Sequence, residues 1–380
     1  MPKKTVPIVK ASSTTKKADP VVKASSTTKK ADLVVKASPT KDFFIHMLTV
    51  DLDLVEAIGD LIDNCIDGAK RQKAKSLSGY WAHIEANQKI FRLSDNCGGI
   101  PVDLARNHAF LFGRRKDTPD VEGSIGEFGI GMKRALFKMG NRFKVESKTK
   151  GSRFVVDQNV TKWLGLDEWE LKFDPLEEDY RGDEVGTVIE VTELFRGVSD
   201  EFKLENFQTR LRNYLKDYQS KNIEDGFTIK LNDERIPSSE LSLEFSEDMD
   251  PAHMTRHYTE DGKDVAVEIY TGLISAPQAK KEGYKKAGWY VYCNGRLILE
   301  ADKDWTTGWD DGVPLFHPEY NRFRGYVFFD SMSPRVLPWT TTKSNVNTES
   351  ALWQKVRLEM IALTRPVIDF LNKIKQERRC

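Results

Sequence analysis

Residues 123–133 read Gly123-Ser-Ile-Gly126-Glu-Phe-Gly129-Ile-Gly131-Met-Lys133, glycines that lead into a helical pattern at Met132 to Lys138. Such a run exposes successive backbone N–H groups just ahead of a helix N-terminus, where unpaired donors and the helix dipole attract an anion. The spacing is not a Walker A loop, since no Gly-Lys-Ser/Thr follows. It reverses the glycine order of the dinucleotide fingerprint as well. Backbone geometry alone can demand such glycines, so the flanking segments have to decide between a turn and a phosphate site.

Upstream, Leu54, Val55, Ile58, Leu61, Ile62 and Cys65 recur at spacings of three and four and predict a helix with one apolar face. Its other face carries Asp60, Asp63, Asn64 and Asp67 in one polar stripe. A strand signal at Ile90 to Leu93 then runs into the turn Leu93-Ser-Asp95-Asn-Cys-Gly98-Gly99-Ile-Pro101. Magnesium on phosphates wants hard oxygen ligands, which Asn64 supplies, and a water attacking phosphate wants a carboxylate base, for which Asp60 and Asp63 are candidates. A buried Asp95 can accept a hydrogen bond from an exocyclic amine, and the glycines after it let a flat base lie against the backbone. That chemistry suits adenine.

Further strands are expected at Arg142 to Ser147, Arg153 to Asp157 and Thr187 to Thr192. A charged helical segment, Glu201 to Tyr218, then separates this half from a second one opened by the strand Phe227 to Leu231. The second half shows strand patterns at Val265 to Thr271, Gly288 to Cys293, Arg296 to Leu299 and Phe323 to Phe329. It closes with a helical stretch, Glu349 to Lys375, interrupted at Pro366. His253 and His257 have the i, i+4 spacing of a helical metal pair, but no adjacent Glu completes a metalloprotease motif, and they read as surface histidines.

Composition bounds the rest. The chain has 380 residues, 58 basic and 58 acidic, and 39% apolar residues without an apolar run of membrane-spanning length, so it reads as two domains with no membrane role. Cys65, Cys97, Cys293 and Cys380 are scattered without a CxxC pair, which fits free thiols in the cytoplasm, or the nucleus if the source is eukaryotic. Residues 1–41 hold ten Lys and two Asp, a charge of +8 that leaves −8 for the remainder. They repeat with a period of 13, from Ile8, Val21 and Val34, and lack aromatics, so they read as a disordered tether.

Taken in order, Asp60-Leu-Ile-Asp-Asn64-Cys-Ile-Asp67-Gly-Ala69, Asp95-Asn-Cys-Gly-Gly99-Ile, Gly126 to Gly131 and Gly186-Thr187-Val-Ile189 resemble the four motifs of the GHKL ATPase superfamily. Its members include gyrase B subunits, heat-shock-protein-ninety chaperones, histidine kinases and MutL, and the flavour is microrchidia-like. The resemblance implies an α+β chain: a Bergerat-type α/β sandwich over residues 43–220, with a mixed sheet covered by helices, after a tail at 1–42. A ribosomal-protein-like transducer over 221–380 would follow. Gly288-Trp-Tyr-Val-Tyr-Cys-Asn294-Gly295-Arg296-Leu-Ile298 is similar to a transducer hairpin, and Leu337-Pro338-Trp-Thr-Thr-Thr-Lys343-Ser to its switch-lysine loop.

By the same resemblance ATP and Mg2+ are the ligands. Asn64 would coordinate magnesium, Asp95 would read the adenine amino group with Thr187 supporting it, Gly99 would pack beside the base, and Asp67 and Ile100 would also bind the nucleotide. Gly126, Phe128, Gly129, Ile130, Gly131, Met132 and Lys133 would hold the phosphates, under a mobile lid from about Asp103 to Glu122 that includes Arg114, Arg115 and Lys116. Lys343 would reach the terminal phosphate. Asp60 stands where hydrolysing members carry Glu, and the missing methylene withdraws the carboxylate by about 1.5 Å. Misplacement on that scale slows a reaction about a hundredfold, so turnover is expected to be slow. A nucleotide-dependent homodimer acting on a protein effector, with nucleic acid as an alternative cargo, is the implied mode. The rivals are a regulatory module that binds ATP without useful turnover and a chaperone-like or defence-associated ATPase acting through a protein partner.

Overall fold

Two β-sheets organise the chain in the computed structural model, which describes residues 39–377 apart from 73–74, 114–123, 127–128, 240 and 246–248. The first contains β1 (Trp81–Ala86), β2 (Phe91–Asp95), β3 (Gly140–Lys148), β4 (Arg153–Asn159), β5 (Leu176–Glu177), β6 (Gly186–Leu194), β7 (Thr228–Leu231) and β8 (Glu234–Arg235). Their spatial order is β5-β4-β3-β6-β2-β1-β7-β8, antiparallel throughout except for the parallel pair β1 and β7. Along β3, Phe143, Val145 and Ser147 turn inward while Arg142, Lys144 and Glu146 turn outward, the period-two alternation of a sheet with one solvated face. Arg142 pairs with Asp157 at 2.8 Å and Arg153 with Glu146 at 2.9 Å across that outer face.

The helices of the first half are α1 (Lys41–Thr49), α2 (Leu54–Arg71), α3 (Val102–Leu104), which continues as a π-turn over Ala105–Ala109, α4 (Gly131–Met139), α5 (Val160–Leu164), α6 (Arg196–Lys203), α7 (Glu205–Tyr218) and α8 (Ser220–Glu224). Asp53 caps α2 by accepting the Val55 N–H at 2.8 Å, and Ile58, Leu61, Ile62 and Ile66 on its apolar face have no exposed surface. Each such side chain contributes about 1.5–3 kcal/mol on burial, so α2 is anchored firmly between the sheet and α4. That anchoring fixes its polar stripe.

The strand expected to open the second half does not do so. β7 pairs with β1, from Trp81 opposite Thr228 to Ile84 opposite Leu231, and the first sheet therefore extends to Arg235. A parallel pair needs a long crossover, and helices α6 to α8 supply it. The second sheet, ordered β12-β11-β13-β10-β9, comprises β9 (Ala252–Glu260), β10 (Lys263–Leu273), β11 (Gly288–Cys293), β12 (Arg296–Asp302) and β13 (Phe323–Ser331). α9 (Ala276–Glu282) lies between β10 and β11, and α10 (Ala351–Glu377) packs on β9 and β10. Both sheets belong to one unit, Lys41–Cys380.

One local expectation is corrected and another is met. α10 continues unbroken through Pro366, because buried Met360 and Ile361 before the proline and Val367 and Ile368 after it hold one apolar face against the sheet. His253 and His257 are exposed, as expected of surface histidines, and lie on β9, where four residues of strand, about 13 Å, separate them. His253 stacks on Tyr270 with ring centroids 4.3 Å apart. No helix among the described residues is long and apolar enough to cross a membrane.

Candidate active site

A cavity of about 390 Å³ lies between α2, the end of β2, the N-terminus of α4 and the loop carrying Lys343. Of the residues expected at the site, Asp60, Asn64, Asp67, Asp95, Gly99, Ile100, Gly126, Gly129, Ile130, Gly131, Met132, Lys133, Thr187 and Lys343 line it. Phe128 and residues 114–122 of the expected lid, with Arg114, Arg115 and Lys116, lie outside the described residues. Leu104, His108 and Ala109, at the start of that lid, line the cavity.

At one end Asp95 is held from three sides. Its Oδ1 accepts the N–H groups of Cys97 at 2.8 Å and Thr187 at 3.2 Å, and its Oδ2 accepts the Cys65 thiol at 3.5 Å. Thr187 thus supports Asp95 through its backbone. Burial raises the Asp95 pKa, and the two N–H donors oppose that rise. Glycine is required around this carboxylate. A Cβ at Gly186 would lie 1.9 Å from the Asp95 carbonyl oxygen, and one at Gly99, where φ is +70°, would lie 2.1 Å from that of Lys148. The left-handed positions of the turn are Gly98 and Gly99, which explains why a side chain is accepted at Cys97. Ile100 donates its N–H to Ser147 Oγ at 2.7 Å and fixes the turn on β3.

At the other end, α4 begins at Gly131, where a Cβ would come within 3.1 Å of Asp60 Oδ2. The absence of that Cβ lets the Asp60 carboxylate lie beside the helix N-terminus. Asn64, one turn on, is exposed to the cavity. Asp67 lines the cavity and also binds the loop: its Oδ1 and Oδ2 accept the N–H groups of Ile125 and Gly126, each at 2.7 Å, so it tethers the glycine loop and takes up two of its donors. Lys133 departs from expectation. Its amine donates to the Ala109 carbonyl at 2.6 Å and to that of Gly129, and burial pushes its pKa down to about 7.

Asp63, an alternative base in the sequence, points away from its stripe toward the second sheet. It accepts from Gln219 Nε2 at 2.9 Å, pairs with Arg296, and lies 3.5 Å from Lys343 Nζ. These bonds commit it to holding the two sheets together. Lys343 sits in a loop closed by the Thr340 N–H on the Asn345 carbonyl at 3.0 Å, and its φ of +53° is an uncommon conformation for a residue with a side chain. The hairpin turn Asn294-Gly295 docks close by: Asn294 donates to the Ser124 carbonyl at 2.7 Å, and Lys70 donates to the Asn294 carbonyl at 3.0 Å.

Sequence reasoning assigned no role to Arg71 or Cys65, which line the cavity, or to Arg296, which lies behind it. Arg71 was within reach of pattern reading, since it follows Asp67 by four residues on the same helical face and lines the cavity. Arg296 carried no local signal beyond following an Asn-Gly turn.

Residues 52–187 match the family of histidine kinase-, DNA gyrase B- and HSP90-like ATPases. This segment is a GHKL ATPase domain. The match covers just over a third of the chain and includes the first three motif segments and the first two residues of the fourth, ending at Thr187. Its mixed sheet covered by helices is consistent with that assignment, and an ATPase domain of this kind binds nucleotide. No curated protein matches the sequence.

Proposed function

We propose that the chain is a slow, magnesium-dependent ATPase that works as a switch or clamp, in which the second sheet acts as a transducer for the GHKL domain. The observation that carries this reading is the convergence of four motif segments and Lys343 on one cavity of about 390 Å³. The adenine end is Asp95, whose Oδ2 faces the Cys65 thiol at 3.5 Å, a weak bond that a base amino group can outcompete. The phosphates lie toward Gly129, Ile130 and Gly131, where the N-terminal amides of α4 favour negative charge. Asn64 offers a hard oxygen donor beside the carboxylate of Asp60, a donor set that fits Mg2+, and a bound magnesium ion would neutralise phosphate charge there.

Asp60 is the base that takes the proton of the attacking water. Lys343 exchanges its contact with Asp63 for the terminal phosphate, so nucleotide state changes how the second sheet is held. Two protomers close on each other with ATP bound and act on a protein effector. A second reading, ATP binding without useful turnover, is favoured by the short side chain of Asp60.

Light scattering with magnesium and a non-hydrolysable ATP analogue tests the clamp. A dimer is expected for the wild type and a monomer for Asn64→Ala; a wild-type monomer throughout refutes the clamp. Phosphate release separates the two readings, since the ATPase reading requires turnover that Asp60→Asn abolishes.

A further inference from the structure

The guanidinium of Arg296 is the most deeply buried cation described beside the site, with 1% of its side chain exposed. It comes from β12 of the second sheet and does not line the described cavity. Its Nη1 faces two carboxylates of α2, pairing with Asp63 and lying 3.6 Å from Asp60 Oδ1, while its Nη2 donates to the Tyr214 hydroxyl at 3.1 Å. Tyr214 in turn rests on Gly59, where a Cβ would come within 2.6 Å of the ring. Among the described residues, Nε of Arg296 finds no hydrogen-bond acceptor. A buried guanidinium with an unused donor is an expensive way to join two sheets, because replacing a buried ion pair with apolar groups is often neutral or stabilising. Its presence here points to a role beyond packing. Asp60 is what the arrangement supplies: its Oδ1 faces Arg296, and its Oδ2 lies beside Gly131 at the phosphate end of the cavity.

We propose that Arg296 is a positioning residue for catalysis: it holds Asp60 from behind, so a carboxylate one methylene short still presents a fixed oxygen to the attacking water. The inference rests on the ATPase reading above. It makes turnover conditional on docking of the β11–β12 hairpin, because the same turn that delivers Arg296 also places Asn294 on the Ser124 carbonyl of the phosphate loop. Asp63 serves as the neutralising partner that allows a cation to be buried there, and Asp60 is left to the reaction.

The test measures ATP turnover and, separately, affinity for a fluorescent non-hydrolysable ATP analogue with magnesium, using the full chain. Arg296→Lys keeps the charge but not the fork, and Asp63→Asn with Arg296→Met removes both buried charges together so that the fold survives. Arg296 lies outside the cavity, so analogue affinity and KM should stay within about threefold of wild type. kcat should fall about a hundredfold in the double variant, the loss expected for a base misplaced by about 1 Å, and less in Arg296→Lys. Wild-type kcat in the double variant overturns the proposal while the ATPase reading stands. So does a loss confined to affinity. A wild type without turnover, or Asp60→Asn turning over like the wild type, overturns the role of Asp60 and this proposal with it.

Discussion

Replacing Asp95 with Asn changes one atom of the side chain and should separate nucleotide recognition from folding. The Asn carbonyl can stay where Oδ1 is and keep the N–H groups of Cys97 and Thr187, at 2.8 and 3.2 Å. The amide nitrogen then replaces Oδ2, the oxygen that would receive the adenine amino group, and sets donor against donor. Loss of a charge-assisted hydrogen bond costs about 1.5–3 kcal/mol, and the opposed donors raise the total to about 2–4 kcal/mol. That corresponds to a roughly 30- to 700-fold weaker Kd. Burial already disfavours charge on Asp95, so the neutral amide should leave folding stability within about 1 kcal/mol of wild type. Calorimetric titration with a non-hydrolysable ATP analogue and with the corresponding purine nucleotide lacking the 6-amino group provides the assay. Wild type should prefer the adenine nucleotide strongly, and Asp95→Asn should bind both with similar weak affinity. Equal affinity of both proteins for the adenine analogue, or an undiminished preference in the variant, would refute the assignment of Asp95 to the base.

Three further outcomes are expected. Asp63→Ala leaves Arg296 buried with only the more distant Asp60, at 3.6 Å, to balance it and should lose about 3–5 kcal/mol in urea unfolding, more than the Asp63→Asn, Arg296→Met pair loses; equal losses would deny the coupling. Gly99→Ala brings a Cβ to 2.1 Å from the Lys148 carbonyl at a φ of +70°, and should abolish analogue binding and lower the melting temperature, whereas Gly151→Ala, which meets nothing within 4 Å, should do neither. Lys133 has a folded-state pKa of about 7, depressed by burial, so above that pH its amine is largely neutral in the free protein. Phosphate nearby favours the charged form, so ATP binding should take up a proton at pH 8 and almost none at pH 6, read from binding enthalpies in buffers of different ionisation heat. The sign for stability is also set: the buried charge is a penalty present below pH 7 that is relieved as pH rises from about 7 toward 10.5. Uptake that does not depend on pH would place Lys133 away from the phosphates.

Local chemistry was legible in advance wherever a residue's role depends on its neighbours in the chain. α2 and its polar stripe, the left-handed Gly98-Gly99 turn, the glycine run before α4 and the Asn-Gly hairpin were written in spacing and residue type, because helix periodicity and positive φ are short-range constraints. Asp95 stood out as a candidate because glycines follow it directly, and the structure places it at the wall of the cavity.

What the sequence could not decide is where each charged side chain spends its bonding capacity. Asp63, Asn64 and Asp67 are near neighbours on one helix, yet Asn64 faces the cavity, Asp67 ties down the glycine loop and Asp63 joins the second sheet. Their partners lie far along the chain, up to 280 residues away for Lys343. The same holds for β7, which local pattern assigned to a new domain and which long-range pairing placed beside β1. Periodicity sets which face of an element is polar. Only the packing of both sheets into one unit sets which cation or N–H group each polar atom meets, because a buried charge must take the partner that the tertiary fold delivers to it.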